Sequence, residues 1–277
     1  MPIKQSSYTA SLHIAEIIGK KVGEEQRFFW TWKCGARNPC SGWPVPASED
    51  PVQEGIAAMA KSALVISSKN YSSWSLRGWL LARMSGLKFE ERVVSLDNSS
   101  ARAEILLLSP SILVPCLNHN GLTIWDTVAI GEYLNEIKPA GHPILPEDVG
   151  ARARSRSICG EMHSGFTGLR SALPMNLKRH YPNFKVWAGA LADIERITDI
   201  WRDCLTTYGG PYLFGATPTM ADAMYAPCVT RFRTYDVKLD KTCSDYCDRI
   251  MAMPDMVEWI EAAKLEPDEF PELDAEF

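Results

Sequence analysis

At 277 residues, with 46% hydrophobic and 23% charged side chains, the chain has an ordinary globular composition and room for two small domains. A formal net charge of -5 supplies no basic field, which argues against nucleic acid or an anionic membrane surface as partner. No stretch has the unbroken apolar length of a membrane span, and the N-terminus lacks the apolar core and cleavage site of a secretory signal.

Residues 1–60 read differently from the rest. Positions 12–22 have helical spacing, but Cys34-Gly35-Ala36-Arg37-Asn38-Pro39-Cys40-Ser41-Gly42-Trp43-Pro44-Val45-Pro46 is punctuated too heavily for a regular element. Glu16, Glu24 and Glu25 interrupt what a mitochondrial transit peptide keeps free of acid. The segment is either a poorly ordered extension or a start assigned too far upstream, with Met59-Ala60-Lys61 beginning the natural product. The second reading is preferred, because the first apolar run follows Met59 closely. Peptides from residues 1–58 in the source cells would overturn it.

Residues 62–138 read as an α/β unit. The pattern predicts a strand over 64–68, a helix over 74–85 stopped by Gly86, and a second strand over 89–95. A helical connection makes that strand pair parallel, a right-handed βαβ unit. Residues 101–108 are helical or loop-like. Val114-Pro115-Cys116-Leu117-Asn118-His119-Asn120-Gly121-Leu122-Thr123-Ile124-Trp125 places two apolar runs around an Asn-Gly pair, the signature of a tight hairpin. Asp126 and Thr127 then open a helix through Ile130, Leu134 and Ile137. This order, βαβ then hairpin then helix, is the thioredoxin arrangement.

Residues 139–150 form a linker rich in Pro and Gly, and helical periodicity dominates from 151 to 265, over 151–176, 183–208, 220–235, 241–252 and 255–264, before a tail at 266–277. In the second of these helices Trp187, Leu191, Ile194, Ile197, Ile200, Trp201, Cys204 and Leu205 make one core-facing stripe. In the first, Cys159, His163, Phe166 and Arg170 share one face while Ile158, Met162, Leu169 and Leu173 share another; one face is core and the other is free to line a cleft. Thr219 and Asp222 have the spacing of a capping box and are assigned to folding.

The eight cysteines (34, 40, 116, 159, 204, 228, 243 and 247) show neither CxxC nor Cys/His metal spacing, so no metal site is expected. Cys159, Cys204 and Cys228 fall in apolar runs as reduced core residues, and Cys116 is read the same way, which suits a cytoplasmic, reducing compartment.

The serine run after the first strand has two readings. One of Ser72, Ser73 and Ser75 caps the helix, or Ser72 presents a hydroxyl beside the free amides and positive dipole end of that helix, a place that favours an anion. The downstream order favours the second. Tyr71-Ser72-Ser73-Trp74-Ser75-Leu76-Arg77 resembles the Ser-Ser-Cys stretch of zeta-type glutathione S-transferases, with tryptophan in place of cysteine. Ser109-Pro110-Ser111-Ile112-Leu113-Val114-Pro115 resembles that family's approach to its cis-proline, and Trp125-Asp126-Thr127-Val128-Ala129-Ile130 stands where it has Glu-Ser-x-Ala-Ile. Pro218-Thr219-Met220-Ala221-Asp222-Ala223 and Met253-Pro254-Asp255-Met256-Val257-Glu258-Trp259 are similar to its helical-domain cap and closing helix.

Over residues 62–265 the chain thus resembles a glutathione S-transferase of bacterial type with a serine active site: a thioredoxin-like N-terminal domain and an all-α C-terminal domain. The resemblance implies glutathione as cosubstrate and Ser72 as the catalytic hydroxyl, with Ser72, Ser73, Trp74, Val114, Pro115, Asp126 and Thr127 binding glutathione. Val114, before a cis Pro115, would pair with the cysteinyl backbone, and Asp126 and Thr127 would hold the γ-glutamyl end. Capping accounts for Asp126 and Thr127 without a ligand. His163, Phe166 and Arg170 are candidates for the pocket of the electrophile, against packing or solvation as the plain alternative. A homodimer is implied as well. The expected function is conjugation of glutathione to a small electrophile, or glutathione-dependent isomerisation. A non-catalytic binding module of the same fold is the alternative, and a glutathione-dependent thiol–disulfide reductase, which would want cysteine at Ser72, a more distant one.

Overall fold

The computed structural model describes residues 62–94, 113–142 and 144–267. The expectations for residues 1–60, 101–108, the segment before Leu113 and most of the tail lie outside the described residues.

Strands β1 (Ser62–Ile66), β2 (Glu90–Val93), β3 (Cys116–His119) and β4 (Leu122–Trp125) form one sheet in the order β2-β1-β3-β4. β1 runs parallel to β2 and antiparallel to β3, which pairs antiparallel with β4. β1 is buried throughout, and its side chains alternate as a strand requires: Leu64 and Ile66 join the main core, while Val65 packs with Val94 and Cys116 on the other face. The hairpin turns on Asn120 and Gly121 with φ of 50° and 80°, the left-handed geometry that an Asn-Gly pair accepts.

Helix α1 (Ser73–Met84) follows β1, with Ser72 as N-cap and Gly86 just past its end at φ 73°. It is buried on almost every side because it is the seam between the two units, packed on the sheet, on α2 (Thr127–Ile137) and on α6 (Met220–Thr234). Gly78 permits this seam: a Cβ there would lie 2.5 Å from Cγ of Pro115. The Val114–Pro115 bond is cis, as the resemblance implied.

The rest is helical: α3 (Val149–Ser164), α4 (Thr167–Ala172), α5 (Ala188–Tyr208), α6, α7 (Lys241–Met251) and α8 (Pro254–Leu265). Trp201 centres this core, with ring centroids 6.1 Å from Tyr225, 5.4 Å from Phe232 and 4.9 Å from Tyr246. Among the described residues no helix is long and apolar enough to cross a membrane.

Two expectations fail. The helix predicted over 151–176 breaks at Gly165 and Phe166, the latter left-handed at φ 57°; the break requires glycine at 165, where a side chain would meet the Glu161 carbonyl oxygen at 2.7 Å. With the axis broken, the supposed shared face dissolves: Cys159 and Phe166 are buried in the core beside Ile158, Met162, Leu169 and Leu173, and only His163 and Arg170 reach the domain junction. Likewise α5 begins at Ala188, and Trp187 and Leu191, at the start of the predicted stripe, are 59% and 51% exposed.

Candidate active site at the domain junction

The N-termini of α1 and α2 meet the C-terminal end of α3 at one corner. Ser72 is the N-cap of α1: its Oγ accepts from the Ser75 N–H at 3.2 Å and donates to Ser75 Oγ at 2.8 Å. Ser75 Oγ in turn accepts from the Ser67 N–H at 3.0 Å and lies 3.4 Å from Ser67 Oγ. Ser72 therefore caps the helix, and its hydroxyl is bonded to that of Ser75. Because Ser75 is anchored by the Ser67 amide, its own proton can turn onto Ser72 Oγ, leaving the Ser72 proton free to point outward.

Trp74 stands one turn into the site as a wall. Its ring lies 4.6 Å from the Arg77 guanidinium carbon, 4.8 Å from that of Arg170 and 5.1 Å from the His163 ring. Arg77 is fully buried, donates from Nε to the Met224 carbonyl oxygen at 2.8 Å, and burial pushes its pKa down to about 9, which still leaves a cation at neutral pH. Burial also lowers Arg170, whose Nη2 donates to the carbonyl oxygens of Met162 and His163.

His163 Nε2 sits 3.1 Å from Asp126 Oδ2, tying α3 to the mouth of α2. The other carboxylate oxygen, Oδ1, caps α2 through the amides of Val128 at 2.8 Å and Ala129 at 3.4 Å. Asp126 adopts φ 75°. Thr127 follows as the first helical residue, buried, its Oγ1 without a partner among the described residues.

That orphaned hydroxyl has company. Buried polar atoms lacking a partner among the described residues include Asn70 Nδ2, Arg77 Nη2, Thr127 Oγ1, His163 Nδ1 and Arg170 Nε, in this corner or the loop entering it, besides Ser155 Oγ and Trp201 Nε1 within the helical unit. Folded proteins seldom leave such groups unpaired unless something else satisfies them. Two helix N-termini, a hydroxyl and buried cations suit an anionic, extended ligand with several polar ends, and glutathione fits that description.

Ser72, Ser73, Trp74, Asp126, Thr127, His163 and Arg170 are thus linked by direct contacts or chain adjacency. Pro115 packs against Gly78 of α1, Val114 is half-buried at the head of β3, and Phe166 is buried in the core cluster. Sequence reasoning named Ser75 only as an alternative to Ser72, and gave no role to Arg77 or Asn70. Serine three residues after an N-cap serine was a signal available for the first.

A thioredoxin-like sheet whose first helix is the seam to an all-helical unit, with a hydroxyl at that helix's mouth, defines the glutathione S-transferase fold. Residues 71–137 match the N-terminal domain model of glutathione S-transferases and residues 175–262 the C-terminal one. The chain is 29% identical over 170 residues to probable maleylacetoacetate isomerase 2 of Drosophila melanogaster, covering 60% of this chain and 72% of that protein. It is also 29% identical over 170 residues to the Rattus norvegicus maleylacetoacetate isomerase, covering 60% and 76%. With glutathione S-transferase 1 of Dianthus caryophyllus it shares 27% over 157 residues, covering 56% and 70%. A glutathione transferase homolog from Burkholderia GL BGR1, crystallised with bound glutathione, superposes with a TM-score of 0.55 at 24% identity, covering 73% of this chain and 97% of that one. This chain belongs to the glutathione S-transferase family.

Proposed function

We propose that this enzyme ionises the thiol of glutathione at Ser72 and directs it at a small electrophile, in conjugation or in a glutathione-dependent isomerisation. The carrying observation is the convergence of unpartnered buried polar atoms on the corner that Ser72 opens. A free thiol has a pKa near about 8.5 and is mostly protonated at neutral pH. Ser72 Oγ donates to the thiolate, the free amides of Ser73 and Trp74 add the positive end of α1, and the buried Arg77 cation raises the local potential. Thr127 Oγ1 and the first amides of α2 take the γ-glutamyl carboxylate, Asp126 takes the ammonium, and Val114 pairs with the cysteinyl backbone.

The electrophile enters on the side of His163 and Arg170, with Trp74 as the wall. The similarity to proteins named as maleylacetoacetate isomerases supports the isomerisation arm. The reading includes a homodimer, testable by light scattering, and a reducing cytosol, supported by six buried free thiols among the described residues.

Two measurements test the core of it. Wild-type protein is retained on immobilised glutathione, and Ser72→Ala lowers kcat roughly 10²-fold, the usual cost of removing one donor to a developing anion. No retention and no turnover would leave a binding module of the same fold. Robust reduction of a mixed disulfide would instead favour a reductase.

A further inference from the structure

The loop between β1 and α1, which delivers Ser72, is held from the far end of the chain. Glu266, directly after α8, places its carboxylate against that loop: Oε2 accepts from Ser68 Oγ at 2.7 Å and from the Asn70 N–H at 3.2 Å, and Oε1 accepts from the Lys69 N–H at 2.6 Å. Ser68 Oγ also accepts from the amides of Asn70 and Tyr71, both at 3.2 Å, so the carboxylate and one hydroxyl together organise the backbone up to the N-cap. The Ser68 carbonyl oxygen receives the Ser72 N–H at 3.0 Å.

Glu266 is itself fixed. Lys178 Nζ donates to its carbonyl oxygen, and Trp259 Nε1 of α8 donates to the Lys69 carbonyl oxygen at 2.9 Å. On the other side of the loop Asn70 Oδ1 accepts from the Leu177 and Lys178 amides at 2.7 and 3.0 Å. The Lys69 ammonium is engaged elsewhere, 2.6 Å from Glu91 Oε2.

We infer that Glu266 is a positioning residue for the reaction: its carboxylate, seated on the amides of Lys69 and Asn70 and the hydroxyl of Ser68, fixes the loop that aims Ser72 Oγ and the mouth of α1 at the substrate sulfur. The inference rests on the function proposed above. Glu266 touches no substrate; it acts through the loop. Charge-assisted bonds to two backbone amides are the strong kind, and a displacement of about 1 Å at a catalytic group costs up to roughly 10²-fold in rate. The glutathione-binding groups on other elements, Val114 and Thr127, are untouched by Glu266, so its loss falls on kcat and on the thiol's acidity before it falls on binding.

The experiment compares wild type, Glu266→Ala, Glu266→Gln and, as control, Glu261→Ala, whose carboxylate pairs with Lys264 at the surface. Three readouts are taken: the pH titration of thiolate absorbance of bound glutathione, kcat against KM for glutathione, and amide exchange of residues 68–72 in the ligand-free protein. For Glu266→Ala the expected result is a thiol pKa higher by roughly one unit, kcat lower by roughly tenfold or more at near-constant KM, and faster exchange in the loop. Glu266→Gln, which keeps one acceptor oxygen, should fall between, and the control should match wild type. Unchanged exchange and thiol pKa in Glu266→Ala would overturn the inference, as would a loss of activity that only follows the folded fraction. If wild type itself shows no bound thiolate, the functional reading fails instead, and loop exchange still decides whether Glu266 orders residues 68–72.

Discussion

Thr127 carries a hydroxyl buried at the first position of α2, and among the described residues no group accepts from or donates to it. An unmet buried hydroxyl costs about 1–3 kcal/mol, a cost that the proposed γ-glutamyl carboxylate would offset. Thr127→Val keeps the shape and β-branching. We expect folding stability unchanged or raised by up to about 1 kcal/mol in urea, and the KM for glutathione raised roughly tenfold. A wild-type KM would remove the γ-glutamyl carboxylate from this spot. Ser72, Asp126 and Thr127 were legible because capping chemistry and the family pattern both mark them. Ser75 was named only as an alternative to Ser72, because its bond to the Ser67 amide, eight residues back and just past β1, is invisible in the sequence.

Helices α1 and α6 show what an element must satisfy to be a seam. At Gly78 the α1 backbone approaches Pro115 so closely that an added Cβ would lie 2.5 Å from Cγ and 2.7 Å from Cβ of a stiff ring. Gly78→Ala gains helix propensity of about 1 kcal/mol but overpacks by about 1–3 kcal/mol, so net destabilisation is expected, together with weaker glutathione binding as Val114 shifts. Stabilisation in a denaturant titration would show that the seam yields freely. Asp222 in α6 exceeds the local capping role its spacing suggested. It accepts from the Thr219 N–H at 2.7 Å and Thr219 Oγ1 at 3.1 Å, and also from the Leu213 N–H at 3.0 Å and Tyr246 Oη at 3.1 Å. Asp222→Ala strands several buried donors, so the loss should reach about 3 kcal/mol or more, beyond the roughly 0.5–2 kcal/mol of a lost cap. A loss within the capping range would mean that water replaces the carboxylate. Periodicity located α6 to within a residue, yet ran through Gly165 because the core positions on either side keep helical spacing; the break lies in backbone sterics that spacing does not encode.

Across the whole molecule, the sequence made the two-unit plan legible but not the ties between the units, since those join residues far apart in the chain: Asn70 to Leu177, 107 positions on, and Asn70 to Glu266, 196 on. Another such tie is ionic. Arg156 of α3 grips Glu132 of α2 with two bonds of 2.8 Å, and within the helical unit Arg196 of α5 grips Glu161 of α3 with bonds of 2.6 and 2.9 Å. The arginine hydrogen bonds hold both glutamates below the usual carboxylate range despite a smaller opposing effect of burial. A depressed carboxylate binds fewer protons folded than unfolded. The stability it adds is therefore complete above the unfolded value of about 4.3 and is lost as pH falls through the lower folded value. All four side chains are partly exposed, so each pair contributes about 0.2–1 kcal/mol, and less at high salt. Replacing both glutamates with glutamine should lower stability at pH 7 by about 1 kcal/mol and flatten its decline below about pH 4. Urea titrations at several pH values check this, and parallel curves for the two proteins would mean that the bridges between α2, α3 and α5 add nothing to the acid response.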